Sequence, residues 1–205
     1  MSNNNRLLLL CLLFLCACAD TDVLPILGET STDEKTGEIS YYKAPEFELK
    51  NQQNQQVSDQ NYKDKIQIVD FFFTSCPTIC PKMTNHLKLV ETAFKNNDRV
   101  AIISYSIDPK NDTPARLQQY AKQYDIDAKK WSFLTGDSNY IFELSKDYKV
   151  RAFDDSTDEE DNIFHDGTFV LVDPQRRIRG YYNGLSKEDT QRLISDIKKL
   201  LKTSS

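Results

Sequence analysis

An α/β sandwich, with a mixed central sheet and helices on both faces, is what this sequence predicts. Two near-continuous apolar runs, Ile66 to Phe73 and Val100 to Ile107, read as strands covered on both sides, and a helical pattern follows each. Two further strands, Thr168 to Val172 and Ile178 to Tyr182, are joined by the turn signal Asp173-Pro174-Gln175-Arg176 and lead into a last helix.

The elements follow in order. Pro45 opens the domain, and Phe47 and Leu49 alternate with charges before a polar turn, Asn51 to Gln56, so a short hairpin is expected there. Thr74-Ser75 ends the first buried strand. From about Pro77 to Asn96 the apolar residues Met83, Leu87, Val90 and Phe94 recur every three or four positions, which predicts a helix. Thr113-Pro114 starts the next helix, because threonine caps well and proline suits the first helical position; it runs to about Tyr124. Trp131 to Leu134 reads as a short strand, Asn139 to Lys146 as a helix, and Ser186 to about Leu201 as the closing helix. Parallel crossover units followed by an antiparallel pair describe a thioredoxin-like sandwich.

A length of 205 residues suits one such domain plus an N-terminal extension. The net charge of -5 argues against nucleic acid as a partner. The first residues read as an export signal. Arg6 is its positive flank, and Leu7 to Cys16 is too short for a spanning helix, which needs about 20 residues. Leu15-Cys16-Ala17-Cys18 resembles the lipobox of bacterial lipoproteins, in which the last cysteine becomes the lipid-modified first residue. An ordinary cleaved signal or an uncleaved anchor remains the alternative. Residues 1–18 are thus expected as the signal with Cys18 lipidated, residues 19–43 as a polar flexible tether, and residues 44–205 as the domain. Between Asp154 and Asp161 six of eight residues are acidic. That run reads as a solvated face, or as a lure for cations or a basic partner.

Cys11, Cys16 and Cys18 belong to the signal or its anchor, so Cys76 and Cys80 are the two thiols of the domain, in a compartment that permits a disulfide. Cys76 stands at the strand-to-helix turn, with Pro77 placed to begin the helix. Backbone N–H groups at a helix start favour a thiolate there. Four apart on a helix, the two sulfurs share a face, with α-carbons roughly 6 Å apart. That lies within the disulfide range of about 4.4–6.8 Å. The pair can close a bond, or grip one metal ion between two sulfurs. A purely structural bridge over so small a loop would stabilise weakly. Pro81 is expected to bend the helix if the helix continues through it.

A two-thiolate metal site needs a third ligand, and the chain has two histidines. His86 lies about 80° round the helix from Cys76 and reads as a surface residue. His165 lies in a loop entering the strand at Thr168, at the same sheet edge as the Cys-bearing turn; it is either a solvent-facing loop residue or the third ligand. Two soft sulfurs and an imidazole select copper, with Cu(I) the thiolate-preferred state. Zinc in a structural site would want a fourth protein ligand. Met83, on the Cys face, reads as core. Asp108 ends the second buried strand, where it either orients the metal ligands from behind or hydrogen-bonds its own turn.

These residues match a known pattern. The chain, over about residues 44 to 200, resembles the Sco/SenC copper-binding proteins, which help assemble the copper centre of cytochrome c oxidase. Phe73-Thr74-Ser75-Cys76-Pro77-Thr78-Ile79-Cys80-Pro81 is similar to the family's C-x-x-x-C-P signature. Ile107-Asp108-Pro109 with Asp112-Thr113-Pro114 is similar to its strand-to-helix segment. His165, 85 residues after Cys80, stands about where the family keeps its copper histidine, and Phe169 to Pro174 is similar to the strand and turn that follow. The resemblance implies copper, as Cu(I) or Cu(II), bound by Cys76, Cys80 and His165. It implies a membrane-tethered domain outside the cytoplasm, in the bacterial envelope and facing the periplasm. Its partner would be the oxidase subunit that holds the copper centre. Here His165 is followed by Asp166-Gly167 where the family commonly has Ser or Thr, and Gly167 is expected to loosen that loop. The alternative is a thiol–disulfide reductase for the oxidase's copper-site cysteines, Cys76 attacking and Cys80 resolving. A peroxide-scavenging role on the same fold is a third reading, without a legible activating environment for it.

Overall fold

The structure is a computed structural model that describes residues 23–154 and 163–203. Strands β1 (Thr30–Thr32) and β2 (Ile39–Tyr41) form a hairpin, and β3 (Glu48–Asn51) with β4 (Gln56–Ser58) form a second. Then β5 (Ile66–Phe72), α1 (Ile79–Ala93), β6 (Val100–Ser106), α2 (Pro114–Gln123), β7 (Trp131–Thr135) and α3 (Ser138–Asp147) alternate. Strands β8 (Ala152–Asp154) and β9 (Ile163–His165) pair with each other, β10 (Thr168–Val172) and β11 (Ile178–Asn183) follow, and α4 (Lys187–Thr203) ends the described chain. The central sheet has the order β11-β10-β5-β6-β7-β3-β4. Its middle strands, β5, β6 and β7, run parallel, and both flanks are antiparallel, so the sheet is mixed as expected.

All seven residues of β5 and all seven of β6 are buried, which is why both read as continuous apolar runs. Alternate residues serve opposite faces. Ile66, Ile68 and Phe72 meet α1, α2 and α4, whereas Val69 and Phe71 meet α3 and the Phe47 hairpin. Helix α1 buries Cys80, Met83, Thr84, Leu87, Val90 and Glu91, a stripe at spacings of three and four. Thr113 caps α2 as expected, its hydroxyl accepting from Arg116 N–H at 3.3 Å.

The expected helix start needs correction. Helix α1 begins at Ile79, with Thr78 as its cap residue, so Pro77 lies before it and Cys76 sits on the turn leading in. Pro81 is then in the first turn, where backbone N–H groups have no partner within the helix anyway. No bend follows from it.

Part of the stretch expected as a tether is structured. Residues 24–27 lie along the start of β11: Leu27 bridges Ile178, and Arg179 donates to the carbonyls of Pro25, at 2.8 Å, and Leu24. The same Arg179 and its neighbour Arg177 share the buried carboxylate of Asp173, each at 2.8 Å. Through β10, antiparallel to β5, this places the N-terminal segment at the end of the sheet where β5 begins. The cysteines follow the other end. The expected signal with Cys18, and the acidic residues 155–161, lie outside the described residues.

Candidate metal centre

The site is built where β5 stops. Thr74, two residues past the strand, is fastened to the loop after β6 by Asp112, which is completely buried. The carboxylate of Asp112 accepts from Thr74 N–H at 3.0 Å, from the Thr74 hydroxyl at 2.5 Å and from the Ser106 hydroxyl at 2.6 Å. Arg116 Nε donates to the Thr74 oxygen at 3.0 Å. Burial raises the Asp112 carboxyl above its ordinary range, and these donors hold it partly down. The turn is thus held on one side before the chain reaches Cys76, whose N–H donates to Phe73 O at 3.3 Å.

Cys76 and Cys80 are both buried, at 8% and 1% exposure, so Cys76 is the sulfur nearer to solvent. They carry thiols rather than a disulfide. A hydrogen bond with Cys76, with burial second, pushes the Cys80 thiol well above its usual range. The Phe73 backbone N–H works the other way, and the charge of Asp70 adds a smaller push upward. Cys80 therefore keeps its proton. On the other side of Cys76, its sulfur lies 3.8 Å from the Thr78 hydroxyl.

Beneath the pair, on the α1 face of the sheet, sits an aromatic floor. Phe72, Tyr120 and Phe133 meet with ring centroids 5.0 to 5.6 Å apart, and Tyr120 OH lies 2.7 Å from the Thr84 hydroxyl of α1. Asp70 is embedded there, accepting from the Ser104 hydroxyl, which in turn accepts from Trp131 Nε1 at 2.8 Å. Burial raises its carboxyl to about 7.

His165 ends β9, its backbone in register with Ala152. Its imidazole lies outside the described side chains. The chain beyond it is well placed. Gly167 is buried with φ +73°, and a β-carbon there would stand 3.6 Å from Met83 Sδ and 3.8 Å from Ile79 Cδ1. Two residues past His165, the chain thus runs against the first turns of α1, on either side of Cys80 in sequence. The carbonyl of Gly167 accepts from Gly184 N–H at 2.8 Å, and the carbonyl of Gly184 accepts from His86 Nδ1–H at 2.7 Å. Gly167 takes a left-handed backbone and lies against α1. His86, expected on the surface, is half-buried and ties α1 to this loop system.

Asp108 behaves as a turn residue. Its carboxylate accepts from Asn111 Nδ2 at 2.9 and 3.1 Å, and its carbonyl accepts from the N–H groups of Asn111 and Asp112. Among the described residues no three His, Cys, Asp or Glu side chains form a metal-ligand set. Met83 packs in the core, as read from its spacing. Sequence reasoning missed two residues. Asp112 was legible only as part of a motif, and Asp70 was a lone carboxylate inside an otherwise apolar strand.

The donor set suits a soft, thiophilic ion. Two neighbouring cysteines lie at the β5–α1 turn, Cys76 the less buried, and the segment that bears His165 runs onto the same helix through Gly167.

The sequence model of the SCO1/SenC family matches residues 36–202. The SCO1 protein homolog of Bacillus subtilis (strain 168) is 34% identical over 187 residues, covering 91% of this chain and 90% of that protein. Among solved structures, a SCO1/SenC family lipoprotein from Bacillus anthracis str. Ames is 29% identical, with a TM-score of 0.71 over 78% of this chain and 95% of that one. BsSco, a member of the Sco family of cytochrome c oxidase assembly proteins in which a disulfide switch was identified, is 33% identical, with a TM-score of 0.67 over 78% and 93%. Bradyrhizobium japonicum ScoI with copper bound is 27% identical, with a TM-score of 0.65 over 77% and 99%.

Proposed function

Because this chain belongs to the SCO1/SenC family, we propose that it binds copper through Cys76, Cys80 and His165 and delivers it to the copper centre of cytochrome c oxidase. Copper is cargo here: the protein exchanges ligands with a recipient and turns nothing over. The observation that carries this reading is the pairing of two thiols at the β5–α1 turn with a His165 segment seated on the same helix through Gly167. The copper-bound relative supports the choice of metal. Tethering at the bacterial envelope through a lipid on Cys18, with the domain facing the periplasm, belongs to the same reading. It is supported by the lipobox and by the lipoprotein relative. Among the described residues no helix is long and apolar enough to cross a membrane.

The test is copper loading of the purified, reduced domain with metal analysis and visible absorption. One copper per chain and thiolate-to-Cu(II) bands are expected, both lost when either cysteine is replaced by alanine. His165→Ala with unaltered copper affinity would remove the three-ligand site.

A second reading is favoured by the difference between the two cysteines. Cys76 is the more exposed of the two cysteines and the Cys80 thiol is pushed well above its usual range, as suits a nucleophile with a buried resolving partner. In that role Cys76 attacks a partner disulfide and forms a mixed disulfide; Cys80 then displaces the partner. Two electrons and two protons pass to the partner's thiols, and Cys76–Cys80 becomes the disulfide. Unchanged disulfide reduction in the His165→Ala variant would favour this role over copper delivery.

A further inference from the structure

We propose that the face formed by Val23, Ile26, Ile39 and Tyr41 lies against the surface of a lipid bilayer, the one that holds the chain's own anchor. This rests on the reading of Cys18 as the lipidated residue. Only Ala19 to Asp22 separate Cys18 from Val23, the first described residue. An extended chain covers at most about 3.6 Å per residue, so Val23 stands within about 18 Å of the anchor. The segment after it offers no slack. Leu27 N–H donates to Ile178 O at 2.8 Å, Ala44 N–H donates to Arg176 O at 2.7 Å, and Arg179 holds the carbonyls of Leu24 and Pro25. A lipid on Cys18 therefore keeps this end of the sheet near the bilayer, within about 18 Å of it at Val23.

The face is suited to that neighbour. Among the described residues five large apolar side chains are exposed, and three of them gather here: Val23 at 68%, Ile39 at 54% and Tyr41 at 36%. Val23, Ile26 and Tyr41 line one open concavity, and Ile39, two residues from Tyr41 on β2, projects from the same face of that strand. Tyrosine favours the headgroup level, with its ring toward the apolar side. The floor of the concavity has little charge to repel lipid. Arg177 and Arg179 are spent on the shared Asp173 carboxylate and leave one net positive charge. The contact chemistry is thus interfacial insertion into neutral lipid rather than attraction to an anionic surface.

The experiment uses the lipidated full chain in phosphatidylcholine vesicles, with acyl chains either brominated or ordinary. Bromine quenches a tryptophan that enters the bilayer. The native Trp131 is buried and serves as the unquenched background. Ile39→Trp should lose emission in brominated vesicles relative to ordinary ones. Lys110→Trp, exposed in the loop after β6 at the opposite end of the sheet, should not. Equal emission of Ile39→Trp in the two vesicles, with the protein floating with the lipid, overturns the docking face and leaves the anchor standing. Failure of the chain to float, with no lipid mass on its N-terminus, overturns the anchor reading itself, and the proposal with it.

Discussion

Asp70 shows what one buried side chain can cost. Its carboxyl is fully enclosed on the α1 face and raised to about 7, against an ordinary value of 3.8. The folded protein then binds this proton more tightly than the unfolded chain does. Asp70's contribution is therefore fully favourable only at pH below about 4, and stability is lost as pH rises toward about 7. Above that, a buried carboxylate remains with only the Ser104 hydroxyl as neutral donor, a cost on the order of a few kcal/mol. Asp70→Asn keeps an acceptor for Ser104 without the charge. Thermal melts should show this variant gaining stability at pH 8 and little or nothing at pH 4; an equal loss at both would refute the assignment. Asp112 is the opposite case, a carboxylate met by three donors. Asp112→Asn turns an NH2 group toward at least one of them and should cost about 1–3 kcal/mol in urea unfolding. Because Thr74 is released, the Cys76 thiol should also react faster with a disulfide reagent.

At the scale of elements, the strands and helices that could be read in the sequence are those with enough length for a period to declare itself. β5 and β6 are apolar over seven residues each, and α1 carries its stripe over four turns. The elements that could not be read, β1, β2, β8 and β9, have three residues each, too few for any period. Their pairing is decided by partners distant in sequence. The two cysteines were legible because of their spacing and their place after a buried strand. The segment that holds His165 was legible only through the expected fold layout and the resemblance, since Gly167 contacts α1 across more than eighty residues of chain. The helix start was misplaced by two residues because two prolines, Pro77 and Pro81, offer competing beginnings. Here a mild variant is informative. Pro81→Ala should change the unfolding free energy by less than about 1 kcal/mol, because a first-turn residue donates no helical bond. A loss of about 3 kcal/mol would mean that proline is needed for a bend.

Over the whole molecule, the site is assembled from chain segments that meet only in the finished fold. The β11–α4 loop grips the His165 segment through Gly184, whose N–H donates to Gly167 O. A β-carbon on Gly184 would fall 2.6 Å from that oxygen and 2.7 Å from the Phe169 ring. Gly184→Ala should therefore displace the segment while leaving Cys76, Cys80 and His165 chemically intact. Copper titration of the folded variant, checked by circular dichroism, should show weakened affinity with unchanged thiol content. Undiminished affinity would mean that the segment is held by other contacts.

The central strand β5 also sets a vertical scale. Its seven residues, at about 3.3 Å each, put roughly 20 Å between the end of the sheet near the N-terminal segment and the end followed by the cysteines. With the lower end resting on lipid and β5 standing along the bilayer normal, the sulfurs would ride at that altitude. A recipient buried flush with the bilayer would pass beneath them. One whose acceptor stands on a domain rising clear of the headgroups would meet them level.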